Sequence, residues 1–346
     1  MQSENCLNVR MYEASASKQS GWSWRGQKKV KIHYRNTANG VEIVRCFGLD
    51  PHVELPEKIH GRLVVRAAAY TFSMGKDRED EDILVYETDE NHLFQNKEHL
   101  LAGERVESVI FPDSMEQTGR YIFYGCRNLR ELWFSDALAD VGSGAFTGCR
   151  ALCRLNVRLL RGQRSCVPDI LGDLWQRIDV VFQTKTEEAR LVFPEHYEEA
   201  VENTPARILF TQHHGSGNNY RQCFYNKEPD YRKYDDLFSV ARAWDDIDVL
   251  SDLIFSRLLY PVGLTQEAGN AYEAYVKEHG AEIGARLTET GNMQALRAMS
   301  ERGLWTRRSL VKTADYAARM GQREELVFLM NEKHRLFPEK KRKYEW

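Results

Sequence analysis

The sequence lacks any long apolar run. No stretch approaches the roughly 18 consecutive apolar residues of a membrane-spanning helix. The first residues carry no charged start followed by an apolar segment, so we expect no secretory signal. The formal net charge is only −3, so the chain as a whole creates no field that favours nucleic acid or an anionic membrane. Together these absences predict a cytoplasmic protein.

The sequence also lacks the spacings of known metal and catalytic sites. Its 7 cysteines are odd in number and are not spaced as zinc ligands, which favours reduced thiols over a disulfide framework. Nothing in the chain matches a catalytic signature. We therefore predict no metal, no cofactor and no enzyme activity.

What the sequence does contain is a short repeat. Residues 111–129 align with residues 134–152 at a constant offset of 23 residues. A fixed short period predicts a solenoid, in which each unit buries its apolar face by stacking on the next. Cys126 and Cys149 occupy equivalent places, which is typical of small apolar core residues. The apolar grid reads Leu-x-x-Leu-x-Leu in three copies, at Val106, Val109 and Phe111, at Leu129, Leu132 and Phe134, and at Leu152, Leu155 and Val157.

This pattern resembles the BspA-like class of bacterial leucine-rich repeats. Units of that class read as strand, Pro-Asp, Ile-Gly, Ala-Phe, Gly-Cys and Leu, and residues 106–157 carry the pattern. In each unit a phenylalanine, Phe123 or Phe146, is expected to fill the core opposite the strand. The resemblance implies a β-solenoid and says little about function.

An earlier, diverged copy is predicted before this region. It begins with a strand at residues 41–44, continues through Leu55 and ends at Phe72. The charged residues 76–82 are predicted to form a loop after it. Solenoids need their first edge covered, so we expect the strand-like runs at 7–12, 30–34 and 41–44 to form an N-terminal cap.

Alternate positions of stacked strands are expected to face solvent on one shared surface. Solenoids commonly bind partners on such a face, and an exposed tryptophan is a typical interface anchor. Two alternatives remain open: a neighbouring segment covers Trp133, and Glu131 only pairs with Arg154. The candidate partner-binding residues form two columns, Ser108, Glu131 and Arg154 in one, and Ile110, Trp133 and Asn156 in the other.

Residues 166–230 are predicted to connect two domains. The runs at 178–182 and 189–193 favour a β-hairpin. Pro194 and the acidic residues after it favour a short helix, because proline and negative charge suit a helix start.

The segment from His213 to Cys223 combines histidine, glycine and cysteine and allows several interpretations. Adjacent His213 and His214 diverge and Cys223 has no second thiol nearby, so zinc is disfavoured. The segment has no phosphate-loop lysine, and Ser216 has no Gly-x-Ser-x-Gly frame. The favoured interpretation is a flexible connection held by Tyr220 and Tyr225; the alternative is an enzyme that uses this loop.

After Pro229 the apolar spacing changes to that of helices. Residues 248–259 predict a helix, and Thr265 is a good N-cap for the next. Residues 291–299 align with 321–329 at an offset of 30, each beginning with a helix-ending glycine. This region resembles ankyrin-type helix pairs, although the Thr-Pro-Leu-His turn is absent. The predicted buried stripe is Leu296, Met299, Leu326 and Leu329.

Together these patterns predict an α+β chain. A leucine-rich repeat β-solenoid with its cap spans residues 1–165, the connection 166–230, ankyrin-like helical repeats 231–337, and a basic tail 338–346. The favoured function is a non-catalytic scaffold that binds a protein partner on the solenoid strand face. The alternatives are an enzyme that uses the His213–Cys223 loop, and a nucleic-acid binder that uses the basic C-terminal region with Arg307 and Arg308.

Overall fold

The computed structural model describes residues 30–75, 82–87, 99–203 and 208–338. The predictions for a strand at 7–12, for most of the charged loop at 76–82 and for the basic tail from 339 onward lie outside these residues. The chain divides into two compact units, one ending at Asp230 and the other beginning at Tyr231.

The first unit is built mainly from short strands. It also contains a 3-10 turn at Gly103–Arg105 and two short helices, α1 (Val167–Gly172) and α2 (Gly217–Tyr220). The strands are β1 (Val30–Thr37), β2 (Gly40–Gly48), β3 (His52–Glu54), β4 (Lys58–Ile59), β5 (Arg62–Ala67), β6 (Leu84–Glu87), β7 (His99–Leu100), β8 (Ser108–Ile110), β9 (Gln117–Thr118), β10 (Glu131–Ser135), β11 (Asp140–Val141), β12 (Arg154–Arg158), β13 (Ile178–Gln183), β14 (Glu188–Phe193), β15 (Tyr197–Asn203), β16 (Ile208–His214), β17 (Phe224–Tyr225) and β18 (Glu228–Pro229).

One sheet carries the strand of each solenoid turn. Its order is β14-β13-β12-β10-β8-β3, with parallel pairing from β3 through β13. Leu132 lies in register between Val109 and Leu155, and all three side chains are buried because alternate residues of a strand point to the same side. The predicted alignment of the repeats is therefore confirmed, because residues aligned in sequence pair with each other on neighbouring strands.

A second sheet closes the other side of the solenoid, in the order β11-β9-β5-β2-β1-β6. Here β2 pairs in parallel with β5, and β1 pairs antiparallel with β2. The predicted strand at residues 41–44 exists, but it is not the solenoid strand of the diverged copy. That strand is β3, where Val53 lies beside Val109. The prediction was wrong because β-branched alternation favours a strand without saying which sheet receives it.

Phenylalanines form a stacked column inside the solenoid. The rings of Phe72 and Phe123 are 5.4 Å apart with an interplanar angle of 9°, and those of Phe123 and Phe146 are 5.6 Å apart at 26°. All three are buried. The predicted role of this phenylalanine as a core residue is confirmed, and no solenoid turn separates Phe72 from Phe123.

The repeat cysteines lie in the same core. The Cys126 thiol donates to the carbonyl of Phe72 at 3.0 Å, and the Cys149 thiol donates to that of Phe123 at 3.2 Å. Burial raises the pKa of Cys126 to about 12. Cys126 and Cys149 are buried and are not joined in a disulfide, which confirms their prediction as core residues.

The strands at 178–193, predicted within the connecting segment, pair with the solenoid sheet. β13 and β14 form the expected hairpin, and β13 also pairs in parallel with β12. The predicted helix after Pro194 is wrong: residues 197–203 form β15, which pairs antiparallel with β16. The acidic residues satisfy a helix start locally, but pairing with β16 supplies a ladder of backbone hydrogen bonds that overrides this weak preference.

The second unit is helical. Its helices are α3 (Tyr231–Asp236), α4 (Phe238–Trp244), α5 (Ile247–Leu259), α6 (Gln266–Glu278), α7 (Gly280–Glu289), α8 (Met293–Glu301), α9 (Arg307–Met320) and α10 (Arg323–Leu336). Helix α7 packs between α5 and α9, while α8 packs against α7 and α10 against α9.

The predicted helix boundaries are confirmed. Thr265 Oγ1 accepts from Ala268 N at 3.2 Å and caps α6. Gly291 and Gly321 follow their helices with φ of 65° and 71°, the left-handed region that glycine tolerates best. Of the four residues predicted to be buried, Leu296, Met299 and Leu329 are buried. Leu326 is only half-buried, whereas its neighbour Glu325 is buried.

A buried ion pair joins three of these helices. Arg257 Nε and Nη2 donate to the two carboxylate oxygens of Asp235 at 2.8 and 2.9 Å. The Tyr272 hydroxyl donates to Asp235 Oδ1 at 2.9 Å, and Arg257 Nη2 also donates to the carbonyl of Val262 at 2.9 Å. Burial acts to lower the pKa of Arg257, but hydrogen bonding and attraction to Asp235 outweigh it, so that the pKa lies above its usual value.

Close approach of α7 and α9 depends on Gly284. A Cβ at this position would lie 2.3 Å from Oγ1 of the buried Thr313. We expect Gly284→Ala to destabilise the helical unit by about 1–3 kcal/mol, because overpacking outweighs the better helix propensity of alanine. Chemical denaturation of the variant tests this.

Gly269→Ala in α6 is the matched control, since its Cβ would meet only a Leu264 methyl at 3.8 Å. It should stabilise by up to about 1 kcal/mol; equal effects of the two variants would contradict the packing argument.

Candidate functional site

The outward side of the solenoid sheet, hereafter the strand face, carries the six candidate residues. Glu131 pairs in register with Ser108 and with Arg154, and Trp133 pairs with Ile110 and with Asn156. The two predicted columns therefore exist, each running across three parallel strands. Parallel pairing in register places equivalent residues of successive turns about 4.8 Å apart.

Half of the candidates are not exposed. Ser108, Ile110 and Asn156 are only 3%, 6% and 4% exposed, so the expectation that they face solvent is wrong. Glu131, Trp133 and Arg154 are half-buried. Neighbours this close screen one another when one of them is as large as tryptophan or arginine. On the strand face, Glu131, Trp133 and Arg154 are thus partly exposed, and the three buried residues lie beside them in the same two columns.

Ion pairs order this layer. Arg154 Nη1 lies 3.1 Å from Glu131 Oε1, as the alternative interpretation expected. Arg177 binds Asp179 through two hydrogen bonds of 2.9 and 3.0 Å, and Arg158 pairs with Asp113. Burial raises the pKa of the Asp113 carboxyl, and Arg158 opposes this effect. Charges of both signs therefore flank Trp133 at defined positions.

Trp133 lies at the centre of the strand face. Its indole Nε1 lies 3.4 Å from Glu131 Oε2, and Glu131 in turn contacts Arg154. The residue is neither fully covered nor fully exposed. This arrangement presents part of an aromatic surface with a fixed orientation, bordered by a carboxylate and a guanidinium.

A separate concavity lies in the same unit. This groove has a volume of about 480 Å³ and is lined by Trp175, His196, Tyr197 and Glu198; it is called the Trp175–Tyr197 groove below. Trp175 is 50% exposed and Tyr197 47% exposed. The Tyr197 ring stacks on His214 with centroids 4.4 Å apart.

Arg221 organises the backbone around this groove. Its guanidinium donates to five carbonyl oxygens between 2.6 and 3.2 Å. Burial lowers the pKa of Arg221 to about 10, which still leaves it charged at neutral pH. The acceptor carbonyls belong to Leu171, Leu174, Gln176, Pro194 and Gly217.

The segment from His213 to Cys223 is packed rather than flexible. It contains the end of β16 and helix α2, and Ser216, Tyr220 and Cys223 are buried. Tyr220 holds the segment as expected, but Tyr225 does not, because it is 80% exposed. The side chain of His213 lies outside the described residues.

This geometry does not favour the enzyme alternative. A nucleophile must reach its substrate, whereas Ser216 and Cys223 are both 1% exposed. His214 Nε2 lies 3.4 Å from Glu199. However, neither Glu199 nor any residue of the His213–Cys223 loop lines the neighbouring groove, so this pair does not face a substrate pocket there. Across the described residues, no group of three or more His, Cys, Asp or Glu is arranged to hold a metal ion.

The helical unit carries a second groove between α7 and α9. It has a volume of about 620 Å³ and is lined by Ala281, Ala285 and side chains with charges of both signs. Arg307 and Arg308, named for the nucleic-acid alternative, are exposed at the start of α9, and Arg307 Nη2 donates to the carbonyl of Phe337 at 3.2 Å. Within the described ranges, none of the helices has the length and apolar character that a membrane crossing requires.

Sequence reasoning missed Trp175, Tyr197 and Arg221. Trp175 follows α1 outside any periodic pattern, and Tyr197 fell within the segment predicted to be helical. The signal available in the sequence is an aromatic residue followed by polar ones, as in Trp175-Gln-Arg177. The five acceptors of Arg221 come from distant segments, so only the fold could bring them together.

A match to a family model supports the repeat assignment. Residues 95–159 match the family model described as "BspA type Leucine rich repeat region (6 copies)". No curated protein matches the chain. Among solved structures, the crystal structure of a T. pallidum leucine-rich repeat protein is similar at 18% sequence identity and a TM-score of 0.20, over 37% of this chain and 72% of that one.

The family match covers the turns from β8 to β12, where the leucine grid, the phenylalanine column and the paired cysteines were described. The same residues form parallel strands in register. Residues 95–159 are therefore similar to BspA-type leucine-rich repeats in sequence pattern, and they form the stacked strands of a solenoid.

Proposed function

We propose that this chain is a non-catalytic scaffold that binds a protein partner on the strand face. The single observation that carries the proposal is Trp133, an aromatic residue left partly exposed at the centre of an otherwise packed layer. Binding surfaces use tryptophan and arginine as anchors, and Trp133 and Arg154 are both partly exposed on this face.

The roles of the six candidate residues differ. Trp133 supplies the apolar anchor, and Glu131 and Arg154 supply a charged rim that sets the orientation of the partner. Ser108, Ile110 and Asn156 are buried beside them in the same two columns. Because all six residues belong to strands of one stacked sheet, little conformational entropy is lost when a partner binds.

We further propose that the helical unit is an ankyrin-like repeat array. The pairs α7–α8 and α9–α10 support this, since each contains a glycine in the left-handed conformation before its second helix, at an offset of 30 residues. The groove between α7 and α9 would then be a second protein-binding surface of the same scaffold.

The strand-face proposal predicts a partner that depends on Trp133. We expect Trp133→Ala to lose a protein that wild type retains in affinity purification from native lysate, quantified by mass spectrometry. Removal of an interface tryptophan typically costs about 2 kcal/mol or more, roughly thirtyfold in affinity. Tyr124→Ala is the matched control, because Tyr124 is an exposed aromatic of the same solenoid, 48% exposed, outside the strand face.

A charge exchange refines this test. The double variant Glu131→Arg, Arg154→Glu retains the internal ion pair while it reverses the charges presented to a partner. It should reduce recovery of the same protein if these charges set orientation. Equal recovery by wild type, Trp133→Ala and the charge exchange would reject the strand face as the binding surface.

A further inference from the structure

Helix α10 carries an apolar surface that is open to solvent. Val327 and Met330 are 62% and 39% exposed, and Leu326 beside them is half-buried. Residues three and four positions apart are neighbours on a helix, so these three side chains form one stripe, called the α10 stripe below. Helix α10 packs against α9, and its buried residues Glu325 and Leu329 mark the side of that contact. Among the described residues, nothing covers the α10 stripe.

The preceding helix pair buries the positions that α10 leaves open. At the repeat offset of 30 residues, Leu326 corresponds to Leu296 of α8, which is fully buried. Met330 corresponds to Ser300, which is buried and hydrogen-bonds to Glu332 of α10. In a repeat array each unit buries one side against the next unit. The α10 stripe is therefore equivalent to a surface that another helix of this unit covers.

Charges beside the α10 stripe fit a second copy of the same helix. Glu324 and Arg335 are both exposed, and the eleven residues between them correspond to about three turns, so they lie along the same edge of the helix. A twofold axis across the helix reverses its direction and brings the same edges together. In such an antiparallel pair, each Glu324 lies near Arg335 of the other copy.

Both charged groups have capacity for this contact. Arg335 donates to Glu332 through Nε and Nη2, and its Nη1 makes no hydrogen bond among the described residues. Glu324 lies in the first turn of α10 and Arg335 in the last, so their charges also suit the opposed dipoles of two antiparallel helices.

We propose that this chain forms a twofold dimer in which the α10 stripes of two copies pack antiparallel. The same patch serves both copies, so the assembly closes at two chains. One helix against its own copy gives a small interface, which is typical of a weak association, and we expect a dissociation constant in the micromolar range or above. The surface lies on the helical unit, so the proposal does not depend on the strand-face function.

Analytical ultracentrifugation of the full-length protein tests the dimer over micromolar to near-millimolar concentrations. The wild-type mass should rise from monomer to dimer with concentration. Val327→Asp should weaken dimerisation about tenfold or more, because the new charge is placed in the interface twice. Trp244→Asp is the matched control: Trp244 is a similarly exposed apolar residue of the same unit, 57% exposed, and lies on α4. It should leave the dimer unchanged.

A charge exchange tests the antiparallel orientation. Glu324→Arg alone and Arg335→Glu alone each place like charges together and should weaken dimerisation about fivefold or more. An equimolar mixture of the two variants should dimerise about as well as wild type, since both contacts of the mixed dimer join opposite charges. A purely structural role of either residue would not make the mixture stronger than its components.

Three results would overturn the proposal. They are a monomer at every concentration, a dimer that Val327→Asp leaves intact, and a mixture that dimerises no better than its parts. The residues after 338 are a competing occupant, because they include Tyr344 and Trp346. If truncation after residue 338 creates a dimer that the full-length chain lacks, these residues cover the α10 stripe and the proposal is wrong. Equal dimerisation of the two proteins supports a second copy.

Discussion

Replacement of Asp235 by alanine is expected to destabilise the helical unit by about 3–5 kcal/mol. Arg257 is completely buried, and among the described residues its ion pair is with the Asp235 carboxylate, at 2.8 Å. Without it, the guanidinium is left as an uncompensated charge in the core. Hydrogen exchange measures the effect directly, because amides of α5 and α6 should lose protection while those of the solenoid strands do not.

A double variant separates the charge from the packing. Arg257→Met combined with Asp235→Leu removes both charges and should recover most of the lost stability, since apolar side chains of similar size often replace buried ion pairs without penalty. Tyr272→Phe removes one hydrogen bond to Asp235 and should cost about 1 kcal/mol. A loss below about 1 kcal/mol for Asp235→Ala would show that Arg257 is solvated by other groups.

Phe123→Ala is expected to destabilise the solenoid by about 3–5 kcal/mol. Its ring lies between Phe72 and Phe146 in the column and also faces Phe111 at 6.1 Å. Removal of the ring leaves a cavity that joins three turns. Because each turn is stabilised by its neighbours, loss of the central ring should reduce protection from hydrogen exchange on both sides of it.

Tyr124→Ala provides the comparison for this prediction. Tyr124 is the adjacent residue but is largely exposed, and it contacts Tyr121 edge to face at 5.8 Å. We expect a cost below about 1.5 kcal/mol, since only this one ring contact is lost. Similar costs for the two variants would mean that the column does not dominate the stability of the solenoid.

The repeat was predictable because its cause is local. Leu132 and Leu155 recur at a fixed period, and a period of 23 residues can bury its apolar positions only by stacking. Helix boundaries were predictable for the same reason: Thr265 and Gly321 act on the backbone within one turn of themselves. These signals lie in consecutive residues, so one sequence suffices to recognise them.

The candidate site was predictable only in part. The register of Glu131 with Arg154 follows from the period, but the burial of Ser108, Ile110 and Asn156 does not. Burial depends on how large the neighbours are and how they lie across the sheet. Likewise, local acidity favoured a helix at residues 197–203, and only the presence of β16 made that segment a strand.

By itself the sequence determined the solenoid, its strand register and its phenylalanine and cysteine core, together with the helical character of the C-terminal half. Short-range periodicity is sufficient for these features, because each is satisfied by residues one period apart. Only the tertiary structure decided three other features. They are the Trp175–Tyr197 groove, the hydrogen bonds from Arg221 to the backbone around it, and the buried ion pair of Asp235 and Arg257. Each of these joins segments that no period relates, and a buried charge finds its partners only when the whole fold closes around it.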